Sequence, residues 1–161
     1  KILSLIRNDE NRKTEFKQTL SFCIRQKQQK DYIEDEIYKT ICSFLNTDGG
    51  TLLIGVHDDG HITGINDEVE KLYKGKVDNF KKHYKNKLKV RIGEQFYPLV
   101  KGKIINIDGK LIYRINCESL KLKKSIKGCY LDNKTFWVRT DPAKDKLEGP
   151  KLVEYINTHF N

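Results

Sequence analysis

The sequence predicts an α+β fold, a single mixed-sheet domain over residues 1–161 flanked by helices, and three observations carry that reading. One long helical stripe, residues 32–45, stands between early strand-like segments. The second half is a series of short β segments joined by turn signals. An amphipathic stretch, residues 147–160, closes the chain. At 161 residues the chain is long enough to bury one core unaided. With 37% hydrophobic and 33% charged residues it has a globular balance, not that of a disordered segment.

Taken in order, Ile2, Leu3, Leu5 and Ile6 make a short leading helix, ended by the polar run 8–11. The segment "KTEFKQTLSF", residues 13–22, alternates as a strand, with Glu15 and Lys17 on one face and Phe16 on the other. Ile33, Ile37, Ile41, Phe44 and Leu45 recur at helical spacing behind an acidic first turn. "NTDGG" stops that helix, because a glycine just past its end tolerates the left-handed conformation of a C-terminal cap. "TLLIGV", residues 51–56, is apolar enough for a strand covered on both faces, and Asp58-Asp59-Gly60 turns it into a hairpin with "HITGI". Residues 67–91 read as helix, divided at Gly75. Residues 96–117 read as two strands joined by Asp108-Gly109. Further strands lie around 129–131 and 136–139, and Asp141-Pro142 breaks the last of them.

The charge is +9, from 31 Lys and Arg against 22 Asp and Glu. Such an excess implies an anionic partner, nucleic acid being the commonest for a basic domain, with solubility alone as the plainer alternative. The positive residues concentrate in one stripe: Lys71, Lys74, Lys76, Lys81, Lys82, Lys85, Lys87, Lys89 and Arg91, interleaved with Tyr73, Phe80 and Tyr84. Arg139 lies on the Trp137 strand, where it adds a further candidate phosphate contact and the Trp a stacking ring or a core residue. No apolar run approaches the ~20 residues of a membrane helix, and no signal-peptide core leads the chain, so an intracellular, cytoplasmic setting is expected. The chain contains no Met, as expected of a processed chain or a domain from a longer protein.

Three chemistries are open to "LNTDGGTLLIGVHDDG". Gly50 and Gly55 have the spacing of a phosphate cradle, but Val56 and His57 follow where a P-loop needs Lys and Ser or Thr, so no ATP is expected. A metal site is the second: Asp58 follows a strand end, and Glu10 and Glu15 are its natural partners for Mg²⁺ or Mn²⁺. Lys17, on the face of Glu15, would stabilise charge at a scissile phosphate. The third is a plain turn beside an exposed Glu15 and Lys17 pair, and residue types alone leave both open. Cys23, Cys42, Cys117 and Cys129 are too widely spaced for a zinc motif; reduced thiols, some in the core, are expected. His57, His61, His83 and His159 form no HExxH.

The order of "EFK" at 15–17, "SFLNTDGGTLLIGVHDDGHITGI" at 43–65 and "FWVRTDPA" at 136–143 resembles the Schlafen AlbA_2 family over nearly the whole chain. That resemblance implies an α/β fold related to nucleic-acid-binding domains, found in DNA-binding regulators and in endoribonucleases that act on structured RNA such as tRNA. In the nucleolytic members three acidic residues form the site, and the matching positions are Glu10, Glu15 and Asp58. Two departures stand out: Asn11 follows Glu10 where Ser or Thr is common, and Thr140-Asp141 stand where a Gly is frequent. The clustered Cys and His of the animal nucleases are missing, so zinc is not carried over. Animal relatives clamp RNA between two such lobes, which makes a homodimer the expected arrangement for one lobe acting alike. The expected function is a nucleic-acid-binding, metal-dependent endoribonuclease, with a non-catalytic DNA-binding module as the alternative.

Overall fold

The computed structural model describes residues 1–160. Its centre is a four-stranded mixed sheet in the order β1 (Thr14–Lys17), β4 (Gly50–Ile54), β6 (Lys110–Cys117), β5 (Val100–Ile107). β1 runs parallel to β4, placing Glu15 opposite Leu52, and β4, β6 and β5 pair antiparallel. A parallel pair needs a crossover, and α2 (Asp31–Asn46) supplies it.

β4 is the strand expected to be covered on both faces, and it is. Leu52 and Ile54 enter the larger core with Ile37, Ile41, Phe44 and Leu45 of α2 and with Phe80, Tyr84 and Leu88 of α4 (Val77–Arg91). Leu53 points the other way, to Phe16, Val56 and Ile112 beneath Ile2 of α1 (Ile2–Arg7). Gly49, at φ +76, ends α2 as its sequence foretells, its N–H bonding back to the Phe44 carbonyl at 2.9 Å.

The far side of α2 is covered by a second sheet, β7 (Tyr130–Leu131), β8 (Thr135–Thr140) and β9 (Ala143–Leu147). Asn46, wholly buried at the end of α2, holds it there. Its amide donates to the Cys129 and Trp137 carbonyls at 2.9 Å and its oxygen accepts the Cys129 N–H at 2.7 Å. The closing helix α5 (Gly149–His159) donates the Tyr155 hydroxyl to the Asn46 carbonyl.

Four sequence expectations need correction. The strand over 13–22 stops at Lys17, because the buried Glu68 carboxylate accepts the Leu20 and Ser21 N–H groups that would continue a ladder. Phe22–Cys23 instead forms β2, paired with β3 (Gln28–Gln29). The hairpin after Gly60 is a single bridge, Val56 with Ile62, since Ile65 N–H bonds to Leu111 of β6. Residue 147, expected to open the closing helix, instead ends strand β9 (Ala143–Leu147): paired with β8, this polar segment carries no strand pattern of its own. Residues 96–99, expected to begin a strand, lie in a 3₁₀ turn, Glu94–Leu99. The division at Gly75 holds, α3 (Asn66–Leu72) and α4 being separated by Lys74 and Gly75 at positive φ.

Candidate carboxylate site and nucleic-acid interface

β1 is an edge strand, and its outward-facing backbone groups need partners. Glu10 accepts the Phe16 N–H at 3.2 Å, while Arg139 on β8 donates to the Asn11 and Thr14 carbonyls at 2.7 and 3.0 Å. Between these two caps lies Glu15, nearly buried and bonded to the Arg139 guanidinium at 2.6 Å. The Lys17 Nζ is 3.8 Å from the Glu15 carboxylate, so Glu15 and Lys17 do share a face, against α2 and not in open solvent.

Glu10 and Glu15 lie close enough to act on each other's ionisation. Burial, then the neighbouring Glu15 and its charge, push the Glu10 carboxyl up to about 8, and the charge of Asp58 adds to this against the Phe16 N–H. Burial also works on Glu15, but Glu10 and the bond from Arg139 outweigh it and hold its carboxyl below the ordinary value. Asp58 is exposed just beyond β4, and its charge reaches Glu10. Its neighbour Asp59 is spent on the turn, accepting the His61 N–H at 2.8 Å. Among the described residues no three Asp, Glu, His or Cys side chains come together as one metal-sized group, so Glu10 and Glu15 meet while Asp58 stands apart.

Alongside Lys17 an open groove of about 580 Å³ runs past Arg25 and His57. Neither residue had a signal in the sequence, since the β2–β3 turn that carries Arg25 lies within a segment that reads as plain strand and loop. Arg139 is a correction. Expected at a phosphate, it is 2% exposed, lies over the Phe44 ring at 5.0 Å and neutralises Glu15. Its partner is distant in sequence, and nothing local in "FWVRT" distinguishes a buried Arg from a surface one.

The sequence pattern of the family described as Schlafen, AlbA_2 matches residues 10–148. The chain belongs to the Schlafen AlbA_2 family. As a Schlafen AlbA_2 domain it is a nucleic-acid-related module, and the match takes in Glu10, Glu15, Asp58, Arg139 and the basic helices. It also resembles the crystal structure of the DIP2311 protein from Corynebacterium diphtheriae, with a TM-score of 0.58 at 15% identity over 93% of this chain. That likeness is one of fold, and the chain spans 28% of that protein's length.

The basic stripe of this Schlafen AlbA_2 domain divides by exposure. Phe80, Tyr84 and Leu88 turn one face of α4 into the core. Lys74, Lys76, Lys81, Lys82, Lys85, Lys87 and Lys89 are all exposed, with Lys85 lying 5.2 Å over the Tyr97 ring and Lys89 3.8 Å from Glu94. Arg91 is the exception and a second correction: it is pinned between Asp35 at 2.5 Å and Asp132 at 2.8 Å, joining α4 to α2 and to the end of β7. Its charge is balanced there by the two carboxylates. Trp137 is neither core nor open platform. It is half-buried under the Lys39 ammonium at 5.0 Å.

The cysteines carry free thiols, three of them buried. Cys42 and Cys129 face each other at 3.5 Å across the α2–β7 contact, and bonding between them together with burial raises the Cys42 thiol. No helix among the described residues is long and apolar enough to cross a membrane.

Proposed function

We propose that this domain binds nucleic acid through its exposed lysines and cleaves RNA, structured RNA such as tRNA, at the edge formed by Glu10, Glu15 and Asp58. The observation that carries this reading is the pair of carboxylates, Glu10 and Glu15, gathered at the β1 edge beside Arg139 and Lys17. Two neighbouring carboxylates, of which Glu10 has no cationic partner of its own among the described residues, are suited to share a divalent cation. The donors are all oxygen, which fits Mg²⁺ or Mn²⁺ and not zinc. Glu10 and Glu15 would hold the ion, with Asp58 drawn in from solvent. When bound, such an ion supplies polarisation of the phosphodiester and a more acidic water. Arg139 keeps Glu15 ionised and fixed. Lys17, half-exposed beside Glu15, offers an ammonium to the negative charge that grows on the phosphate. The lysines of α4 and of the α3–α4 turn hold the backbone without reading its bases. A homodimer would add the second lobe for a folded RNA.

A non-catalytic DNA-binding module is the second reading, and the exposed position of Asp58, outside any group of three such side chains among the described residues, favours it. Incubation of tRNA with the protein in Mg²⁺ and in Mn²⁺, compared with Asp58→Ala and Glu15→Gln, separates the two. Cleavage by the parent chain alone supports the nuclease. Intact RNA in both metals, together with salt-sensitive DNA binding, leaves the binding module.

A further inference from the structure

We propose that the β2–β3 hairpin grips an RNA strand beside the carboxylate site, its cations meeting the phosphates that flank the one at Glu10 and Glu15. This deepens the nuclease reading and rests on its claim that RNA reaches the β1 edge. The lysines of α4 are poorly placed for that task. Lys81 and Lys85 share a cleft with Val100 and Gly102 of β5, and β5 and β1 are opposite edges of the four-stranded sheet, roughly 14 Å apart at ordinary strand spacing. Phosphates at the β1 edge need cations of their own.

The hairpin supplies them. From Phe16 to Lys30 the chain has Lys17, Arg25, Lys27 and Lys30 and no Asp or Glu. Among the described residues the side chains of Arg25, Lys27 and Lys30 have neither an ion pair nor a hydrogen bond, whereas nearby Arg139 is taken by Glu15 and Arg12 by Asp48. Arg25 is exposed and lines one open groove with Lys17, whose Nζ is 3.8 Å from Glu15, so the groove leads from the hairpin to the carboxylates. The base of the hairpin is fixed. Phe22 is buried, its carbonyl accepts the Thr19 hydroxyl at 2.7 Å, and Glu68 takes the Leu20 and Ser21 N–H groups. A fixed base with an exposed cationic tip has little backbone freedom left to lose on binding. Lys27 adds an independent observation. It stands at φ +54, a conformation that glycine takes without steric cost and an L side chain rarely adopts. The turn alone would be better served by glycine, yet it carries a cation. An acidic peptide would match the charges too; membership of a nucleic-acid-related family favours RNA.

Binding of tRNA to the full chain in EDTA, where nothing is cut, tests this over a range of salt concentrations. The parent is compared with the double variants Arg25→Ala/Lys27→Gly and Arg25→Lys/Lys27→Arg. The first is expected to bind about tenfold more weakly at low salt and to lower the slope of log affinity against log salt by about 1 to 2. Its melting temperature should hold or rise, because Lys27→Gly relieves the positive φ and neither side chain has a partner in the fold. The second keeps both charges and should bind within about twofold of the parent. The proposal is overturned if the parent does not bind tRNA, if Arg25→Ala/Lys27→Gly keeps its affinity and slope, or if the charge-preserving pair loses as much. It is overturned too if poly-glutamate binds the parent as tightly as tRNA does. A parent that binds with the expected losses yet leaves tRNA intact in Mg²⁺ and Mn²⁺ ends the nuclease reading alone. A parent that cuts tRNA, with Arg25→Ala/Lys27→Gly binding and cutting equally well, ends this proposal alone.

Discussion

Arg139 is the residue on which the carboxylate site depends. Its side chain is 1% exposed and Glu15 is its counter-ion, so removing the guanidinium strands a charge in a dry setting. Arg139→Met is expected to cost about 3 kcal/mol or more in urea denaturation. Addition of Glu15→Gln should recover part of that loss. A merely additive double variant would mean that the pair contributes nothing. Glu68 gives a second test at this scale. Burial raises its carboxyl from 4.5 to about 7, against the Leu20 and Ser21 N–H groups, so the folded state holds the proton more tightly than the unfolded one. Stability from this group is therefore greatest below 4.5, falls as pH rises from 4.5 to about 7, and is flat above. The fall amounts to roughly 3 kcal/mol. Glu68→Gln, though less stable at acid pH because its amide faces a backbone donor, should lose that slope. Denaturation of both chains at pH 5 and pH 8 gives the comparison. Neither role was legible in the sequence. Glu10 and Glu15 are near neighbours and their pairing could be foreseen from residue types, whereas Arg139 lies 124 residues from Glu15 and Glu68 bonds across 48. Only the packed chain brings these together.

At the scale of elements, the legible parts are those with strong local periodicity. α2, β4, the β5–β6 hairpin and the break between α3 and α4 follow from their own residues, because each has a helical stripe, a continuous apolar run or a glycine where the backbone needs one. β9 and the early end of β1 do not. β9 is held by β8 across a polar segment, and β1 ends where a distant carboxylate takes its amides. The junction of α2 and β4 invites a direct test because it fixes β4 beside β1, the strand that carries Glu15. Gly49 has φ +76, and a Cβ there would stand 2.6 Å from the Cys117 carbonyl oxygen. Gly49→Ala therefore meets both an unfavourable backbone region and rigid neighbouring backbone. It is expected to cost about 2 kcal/mol or more. Gly109→Ala, also at positive φ but with open space around its Cβ, should cost only about 1 kcal/mol. Thermal melts of the two variants measured together separate the clash from the backbone cost.

Over the whole molecule, the +9 charge becomes a functional statement only when it is divided into free and committed cations. Arg139 and Arg91 are committed to carboxylates, Lys121 and Arg12 to Asp48, and Lys144 to Glu36. The exposed lysines of α4 and of the turn before it, Lys89 near Glu94 apart, are among the cations that remain for phosphates. They belong to one continuous stretch of chain whose other face is fixed in the core by Phe80, Tyr84 and Leu88. Binding that depends on them must release counter-ions, so its affinity should fall steeply with salt. Replacement of Lys74, Lys82 and Lys87 together by Ala is expected to lower the slope of log affinity against log salt by about 2 to 3 for single-stranded or duplex polymer. These side chains make no contact that the core needs, so the melting temperature should stay within a few degrees. Arg91→Ala should do the reverse, lowering stability through the loss of Asp35 and Asp132 while leaving the slope as it was. A parent chain whose binding ignores salt, or a triple variant with an unchanged slope, would move the interface off the stripe, because charge that touches no phosphate releases no ions.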